Sequence, residues 1–210
     1  LHKEYRRQRQ MCIRDRSERY NVMVVENDSL ADFKPTSAVR LSALDQLERT
    51  IYIGSFSKSF SAALRVGFIA CNAALASDLA DLKALVHVSS SEYCERMVDV
   101  MLRDGHYERH LVRLRQRLEA ATGHALQVLD SLGAEVFARP SSSLYLWSAF
   151  PGVSDSLTLA ADLMPEKVIM APGRVFSVDP TATSPWSRCN VGAIGSPRFR
   201  ATLAASLAQR

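Results

Sequence analysis

Short apolar runs alternate with longer stretches of helical periodicity along most of this chain. Apolar runs of the kind found in buried parallel strands cover residues 22–25, 50–54 and 65–70. A helix is predicted over 73–86, where leucine and valine recur on one face, and a second helix over 90–103. This alternation is typical of the α/β class and predicts a parallel-rich sheet in the first part of the chain.

The longest periodic segment, 106–132, repeats leucine and alanine at three- and four-residue steps and stops before Gly133. The patterns that follow it are shorter. They predict strands at 136–138, 144–147 and 188–193, and helices at 154–164 and 197–208. A smaller α+β unit is therefore expected after the long helix.

The composition excludes several classes of protein. With 47% hydrophobic and 23% charged residues among 210, the chain is neither disordered nor fibrous. No apolar run approaches the roughly 18–20 residues that span a bilayer, and no secretory segment is recognisable, so we expect a cytoplasmic protein without membrane contact. The four cysteines form no C-x-x-C pair, and His106 and His110 lack an obvious third ligand, so no metal is expected.

The net charge of +4 comes from the first 16 residues, and the rest of the chain is neutral. A basic surface for nucleic acid is therefore not expected on the folded part. The string Met11-Cys12-Ile13-Arg14-Asp15 is the literal translation of ATG-TGT-ATA-AGA-GAC, part of a sequencing-library adapter. We predict that residues 1–16 are non-native and that the natural reading frame has lost its beginning.

The densest polar cluster at a strand end runs from Gly54 to Ser59, with Arg65 shortly after it. Open α/β sheets bind ligands at the carboxyl ends of their strands. A lysine shielded between two strands loses solvation, and serine hydroxyls beside an arginine suit a phosphate ester. A serine-rich loop with a solvated lysine is the alternative, and composition alone favours it.

The string Ser55-Phe56-Ser57-Lys58, followed by Arg65, resembles the cofactor-lysine signature of fold-type I pyridoxal-phosphate aminotransferases. Two later landmarks come in the matching order, Pro172-Gly173-x-x-Phe176 and Arg188-x-Asn190-Val191. The resemblance covers roughly residues 20–208 and corresponds to the second half of that fold.

The resemblance implies a domain organisation. Residues 17–88 would be the C-terminal part of the pyridoxal-phosphate-binding large domain. Residues 89–132 would be connecting helices, and 133–210 the small C-terminal domain. The full-length parent would be a homodimer, as this family normally is.

The resemblance also implies residue roles. Lys58 would bind the cofactor covalently and then shuttle a proton, and Ser55, Ser57 and Arg65 would hold the cofactor phosphate. Arg188 would take the substrate α-carboxylate, a surface salt bridge being the alternative. The implied reaction exchanges an amino group between an α-amino acid and a 2-oxo acid.

One departure from the family pattern concerns the residue that faces the pyridine nitrogen. Family members usually place an aspartate there, and by spacing the position falls on Asn27, with Asp28 next. An amide cannot stabilise a pyridinium by charge. Either Asp28 takes the role through a shifted strand end, or catalysis is impaired.

A closer likeness is to the aminotransferase-like domains of GntR/MocR-type transcription regulators. Residues 44–49 and the string Asp104-Gly105-x-Tyr107-x-x-His110 carry it. In that case the chain would be an effector domain that binds the cofactor, and DNA would be bound only through a winged helix that is not part of this chain. A structural remnant without activity is a third possibility.

Overall fold

The computed structural model describes residues 2–34, 38–179 and 181–209, and the chain divides into two compact units, Leu1–Val112 and Arg113–Arg210. The long helix α5 begins in the first unit and continues in the second. The elements of the first unit are α1 (His2–Tyr20), β1 (Val24–Asn27), a 3-10 turn (Ala31–Phe33), α2 (Leu41–Asp45), β2 (Thr50–Ser55), β3 (Gly67–Ala70), α3 (Ala73–His87), α4 (Glu92–Arg103) and the start of α5 (His106–Ser131).

The first unit contains a three-stranded sheet in the order β1-β2-β3. β1 runs parallel to β2, with Asn27 opposite Ile53. β3 runs antiparallel to β2, with Gly67 opposite Ser55. The apolar runs predicted the three strands, but the expectation that the third is parallel is wrong, because β3 turns back directly after β2 and pairs with it in the antiparallel direction.

Much of the apolar surface of the first unit is exposed. Val25, Phe68 and Ile69 are 48–58% exposed, and α3 has no buried residue. The sequence predicts buried strands here, but no described element covers this surface. The predicted apolar face of α3 instead lines an open cavity together with residues of β2 and β3.

The second unit has a four-stranded antiparallel sheet in the order β4-β5-β7-β6. Its elements after α5 are β4 (Glu135–Val136), β5 (Tyr145–Ala149), α6 (Ser156–Leu163), β6 (Ala171–Pro172), a 3-10 turn (Gly173–Phe176), β7 (Trp186–Asn190), α7 (Val191–Ile194) and α8 (Pro197–Leu207). The predicted strand over 188–193 stops at Asn190, because its side chain accepts hydrogen bonds from the Gly192 and Ala193 amides and so begins α7.

Strict alternation along the two central strands gives the second sheet two different faces. Leu146 and Cys189, opposite each other in the register, are 2% exposed and belong to the core. The neighbouring pair, Trp147 and Arg188, points to the other face because side chains alternate along a strand. The core is completed by apolar side chains of α5, α6, α7 and α8, including Leu129, Leu159, Leu163, Ile194 and Leu203.

A search of the described residues for a helix long and apolar enough to cross a membrane finds none.

The core of the second unit makes a stability prediction. Leu163 is fully buried, whereas its neighbour Met164 is 64% exposed. Leu163→Ala is expected to lower the free energy of unfolding by about 2–5 kcal/mol, because it removes buried methyl groups and leaves a cavity. Urea denaturation followed by circular dichroism measures the change. Met164→Ala is the matched control, and equal losses in the two variants would contradict this packing.

Candidate active site

Lys58 lies in a turn, residues 56–60, that directly follows β2. The backbone of the turn is fixed at its start, where the Phe56 amide donates to the Val66 carbonyl at 3.1 Å, and at its end, where the Phe60 amide donates to the Phe56 carbonyl at 2.8 Å. The Lys58 side chain is exposed, whereas that of the next residue, Ser59, is buried. Of the two alternatives that the sequence leaves open, a shielded lysine and a solvated one, the described residues show the solvated lysine.

Ser55, Ser57 and Arg65, the three residues predicted to hold a phosphate, line one cavity of about 890 Å³. Ser55 ends β2, and its hydroxyl accepts a hydrogen bond from the Ser57 amide at 3.2 Å. Arg65 lies just before β3 with a φ of 54°, a left-handed conformation that is uncommon for a residue with a side chain. Two hydroxyls and a guanidinium on one wall are a donor set that fits a phosphate ester.

A close approach of two strands brings these residues together. A Cβ atom added at Gly67 would lie 2.8 Å from the Gly54 carbonyl oxygen, so only glycine fits there without a shift of the strands. The antiparallel register pairs Gly67 with Ser55 and returns the chain to the end of β2. Arg65 therefore reaches the cavity that Ser55 lines.

Asn27 and Asp28, the two candidates for the position that faces the pyridine nitrogen, differ sharply in environment. Asn27 ends β1 with an exposed side chain. Asp28 is 2% exposed, and its carboxylate accepts hydrogen bonds from Lys34 and, at 2.8 Å, from Arg40. Asp28 is thus bound by two cations, and Asn27 is the side chain open to a ligand.

The electrostatics of Asp28 reflect these partners. Burial raises the pKa of its carboxyl, but the hydrogen bonds and charges of Lys34 and Arg40 outweigh burial and hold the pKa below its usual value. The Tyr52 hydroxyl also donates a hydrogen bond to the Asp28 carboxylate, at 3.4 Å. The side chain of Asp28, directly after β1, is therefore a charged carboxylate at neutral pH.

Arg188 lies in the second unit, on the open face of β7. Its guanidinium carbon lies 4.5 Å from the centre of the Tyr145 ring and 5.0 Å from that of Phe176. Phe176 is placed there by the Pro172-Gly173 turn, where a Cβ at Gly173 would lie 2.5 Å from the Trp186 carbonyl oxygen. Among the described residues no carboxylate pairs with Arg188, so the salt-bridge alternative finds no support.

The other candidate side chains have structural partners. His106 Nδ1 lies 2.8 Å from an Arg109 nitrogen, and His110 Nε2 lies 2.8 Å from the Ser59 carbonyl oxygen. Within the described ranges, no three histidine, cysteine, aspartate or glutamate side chains gather as metal ligands would. Burial raises the pKa of the Cys189 thiol to about 12, as suits a core residue.

Comparison with known proteins decides the family. The family description "Aminotransferase class I and II" matches residues 9–207. The chain belongs to this family. The match begins inside the segment predicted to be non-native, and the origin of residues 1–16 stays a prediction.

Curated relatives of this chain include transcription regulators. The HTH-type transcriptional regulator NorG of Staphylococcus aureus is 31% identical over 166 residues, which are 76% of this chain and 37% of that protein. The HTH-type transcriptional regulator TauR of Rhodobacter capsulatus is 26% identical over 172 residues, which are 80% of this chain and 36% of that protein. The chain therefore spans little more than a third of the length of these relatives.

Solved structures with the same fold include aminotransferases. LysN, the alpha-aminoadipate aminotransferase of Thermus thermophilus, matches with a TM-score of 0.80 at 21% identity, over 95% of this chain and 54% of that one. An archaeal alanine:glyoxylate aminotransferase matches with a TM-score of 0.83 at 18% identity, over 97% and 52%. The predicted fold class is confirmed: it is the type I fold of pyridoxal-phosphate transferases, with part of the large domain followed by a small α+β domain.

The sequence analysis missed one part of the site. Tyr107 and His110 contact Ser59 in the turn of Lys58, and Asp32 accepts a hydrogen bond from Tyr107. The string Asp104-Gly105-x-Tyr107-x-x-His110 was the signal that could have found them, but it suggested a family and no chemistry.

The Asp28 ion pairs make a prediction about pH. Because the pKa of Asp28 is lowered on folding, its contribution to stability is present above the unfolded-state value of about 3.9 and is lost as the pH falls through the folded-state value. Asp28→Asn is expected to cost about 1–3 kcal/mol at pH 7 and to flatten the acid dependence of the unfolding free energy. Urea denaturation between pH 7 and 3 measures both effects.

The control for this prediction is Asp130→Asn, which removes a surface partner of Arg139. It should leave stability almost unchanged, because exposed ion pairs contribute little. An acid profile that is the same in Asp28→Asn and the parent chain would contradict the assigned role of the Asp28 pairs.

Proposed function

We propose that this chain is the C-terminal part of a pyridoxal-phosphate-binding aminotransferase domain, and that the parent protein transfers an amino group between an α-amino acid and a 2-oxo acid. The observation that carries the proposal is the cavity at the ends of β2 and β3. Its wall holds Ser55, Ser57 and Arg65, and the turn of Lys58 continues from that wall. The type I fold and the family membership support the same assignment.

Each side chain has a task that follows from its chemistry. The Ser55 and Ser57 hydroxyls and the Arg65 guanidinium would hold the phosphate of pyridoxal phosphate. Lys58 has the primary amine that attaches the cofactor, and its exposed Nζ has no described partner to displace. The bound cofactor supplies an electron sink that acidifies the substrate Cα–H. Lys58 would then remove and return the proton at that carbon.

Arg188 would bind the substrate α-carboxylate. The rings of Tyr145 and Phe176 hold its guanidinium by cation–π attraction, which restricts the side chain without using up its N–H donors. A planar guanidinium with free donors matches a carboxylate in a two-bond fork. Substrates with a carboxylate on the reacting carbon therefore fit this proposal.

The pyridine nitrogen would be faced by Asn27. The amide can donate a hydrogen bond to that nitrogen but brings no negative charge to keep it protonated. Asp28 is buried with Lys34 and Arg40 and does not substitute for it. This arrangement would weaken the electron sink and slow turnover.

Two features support the view that the parent is larger and dimeric. The chain spans 54% of the length of LysN, and the apolar surface around β3 and α3 is uncovered in the described residues. We propose that the preceding half of the large domain covers this surface, and that a second subunit completes the site. The 210-residue chain alone should therefore show little transaminase turnover.

A second candidate function is an effector domain of a GntR/MocR-type regulator. Two observations favour it: the curated relatives are named as HTH-type regulators, and Asn27 weakens the electron sink. In this case the domain would bind pyridoxal phosphate and an amino acid and control a DNA-binding module elsewhere in the parent. Neither candidate requires DNA contact by this chain.

The phosphate assignment predicts selective labelling of one lysine. When the chain is mixed with pyridoxal phosphate and reduced with borohydride, Lys58 should be labelled faster than Lys167, which is exposed in the second unit. Arg65→Gln is expected to slow labelling of Lys58 by about tenfold, because it removes a charged phosphate contact, and to leave Lys167 unchanged. Peptide mass spectrometry measures both rates.

Arg49→Gln, which removes a half-buried arginine paired with Asn21, is the control and should leave both rates unchanged. Labelling spread evenly over all lysines would overturn the cofactor assignment.

The assignment of Asn27 separates the two candidate functions in the full-length parent. Asn27→Asp is expected to speed the conversion of an amino acid to its 2-oxo acid by roughly tenfold or more, because a carboxylate favours the protonated ring nitrogen. The visible absorbance of the bound cofactor should change with it. Single-turnover kinetics and spectra measure the two effects, and Asn21→Asp is the control.

Rapid turnover by the unmodified parent would support the enzyme. A borohydride-sensitive absorbance band with negligible turnover would support the regulator. An Asn27→Asp variant with an unchanged spectrum would show that Asn27 does not face the ring.

A further inference from the structure

We infer that Tyr107 and His110, in the first two turns of α5, are positioning residues for Lys58. This role rests on the proposed function, because it concerns the lysine that the proposal assigns to the cofactor. Both side chains bind Ser59, the residue that follows Lys58. These contacts give two residues of the string Asp104-Gly105-x-Tyr107-x-x-His110 a structural role.

The hydroxyl hydrogen bonds form a chain with a defined direction. Tyr107 Oη donates to Asp32 Oδ2 at 2.6 Å, because a carboxylate only accepts. A phenol has one proton, so in its 2.6 Å contact with Ser59 Oγ the tyrosine must accept. The order is therefore Ser59 to Tyr107 to Asp32, and it fixes the rotamer of the Ser59 hydroxyl.

Burial makes these two hydrogen bonds costly to break. Ser59 is 2% exposed and Tyr107 is 5% exposed, so water replaces neither partner easily. The Tyr107 ring also meets the rings of Phe56 and Phe60 edge-on, at centroid distances of 5.5 and 6.1 Å. The two phenylalanines bracket the turn, so Tyr107 contacts it at its beginning, end and interior.

His110 adds a bond to the backbone of the same turn. Its Nε2 lies 2.8 Å from the Ser59 carbonyl oxygen, which only accepts, so the proton of this pair is on Nε2. The ring of Phe60 lies edge-on to the imidazole at 5.9 Å. The side chain and the main chain of Ser59 are thus held from one helix.

Asp32 connects this anchor to the first strand. It lies in the 3-10 turn that follows β1, only a few residues beyond Asn27. The chain of hydrogen bonds therefore ties the segment after β1 to the turn after β2. These hydrogen bonds therefore restrict the position of Asn27, which is proposed to face the ring, relative to Lys58, which is proposed to attach the cofactor.

The backbone at Ser59 is therefore fixed, while the amine of Lys58 beside it stays exposed. Lys58 has an exposed side chain, while the residue beside it is held by two partners on α5. Fixing the attachment point reduces the conformations that the amine must lose when it reacts. Tyr107 and His110 act through Ser59 and do not touch the cofactor.

The test is Tyr107→Phe, which keeps the ring contacts and removes the hydroxyl that joins Ser59 to Asp32. In the 210-residue chain, the rate of borohydride-trapped labelling of Lys58 by pyridoxal phosphate is expected to fall by about tenfold. Labelling of Lys167 should not change. Amide hydrogen exchange across residues 57–61 should become faster in the same variant.

Tyr93→Phe is the matched control, because Tyr93 lies on α4 and is 73% exposed. Ser59→Ala removes the other end of the bond and should reproduce the effect of Tyr107→Phe. Selective labelling of Lys58 that is equally fast in Tyr107→Phe would overturn the positioning role alone. Unselective labelling in the unmodified chain would overturn the proposed function and this role together.

Discussion

The antiparallel pairing of β2 with β3 is the constraint on which the candidate site depends. It forces the chain to turn back directly after Ser55, so that Lys58 and Arg65 leave from the same end of the sheet. The close contact of Gly67 with the Gly54 carbonyl permits this pairing, since any side chain at position 67 would push the strands apart. The α5 contacts with Ser59 then hold the turn on its other side.

In the second unit, the alternation of side chains along a strand positions the candidate residue Arg188, whereas in the first unit a turn positions Lys58. One face of its sheet is closed by Leu146 and Cys189 in the core, and the other presents Arg188 among aromatic rings. An arginine held by rings keeps its hydrogen-bond donors, whereas an arginine held by a carboxylate has used them. The environment of Arg188 is therefore suited to an incoming carboxylate.

Asn27 is the exposed side chain at the end of β1, beside the buried Asp28. The side chain proposed to face the pyridine nitrogen is an uncharged amide here. The neighbouring carboxylate of Asp28 is paired with Lys34 and Arg40. In the proposed site, covalent attachment would depend on Lys58 and phosphate binding on Ser55, Ser57 and Arg65, so neither would need a charge at position 27. Cofactor binding and catalytic power can thus be separated, which is what an effector domain requires.

The sequence by itself determined the order and type of most elements, the family, and the candidate residues from Ser55 to Arg188. It could do so because apolar periodicity and short motifs are local properties. It left open whether Asn27 or Asp28 is available to a ligand and whether Lys58 is shielded or solvated, and it gave the Tyr107 motif no role. Those points depend on contacts between residues far apart in the chain, such as Asp28 with Arg40 and Ser59 with Tyr107. Only the tertiary structure decides such contacts, because burial and hydrogen-bond partners are set by which segments pack together.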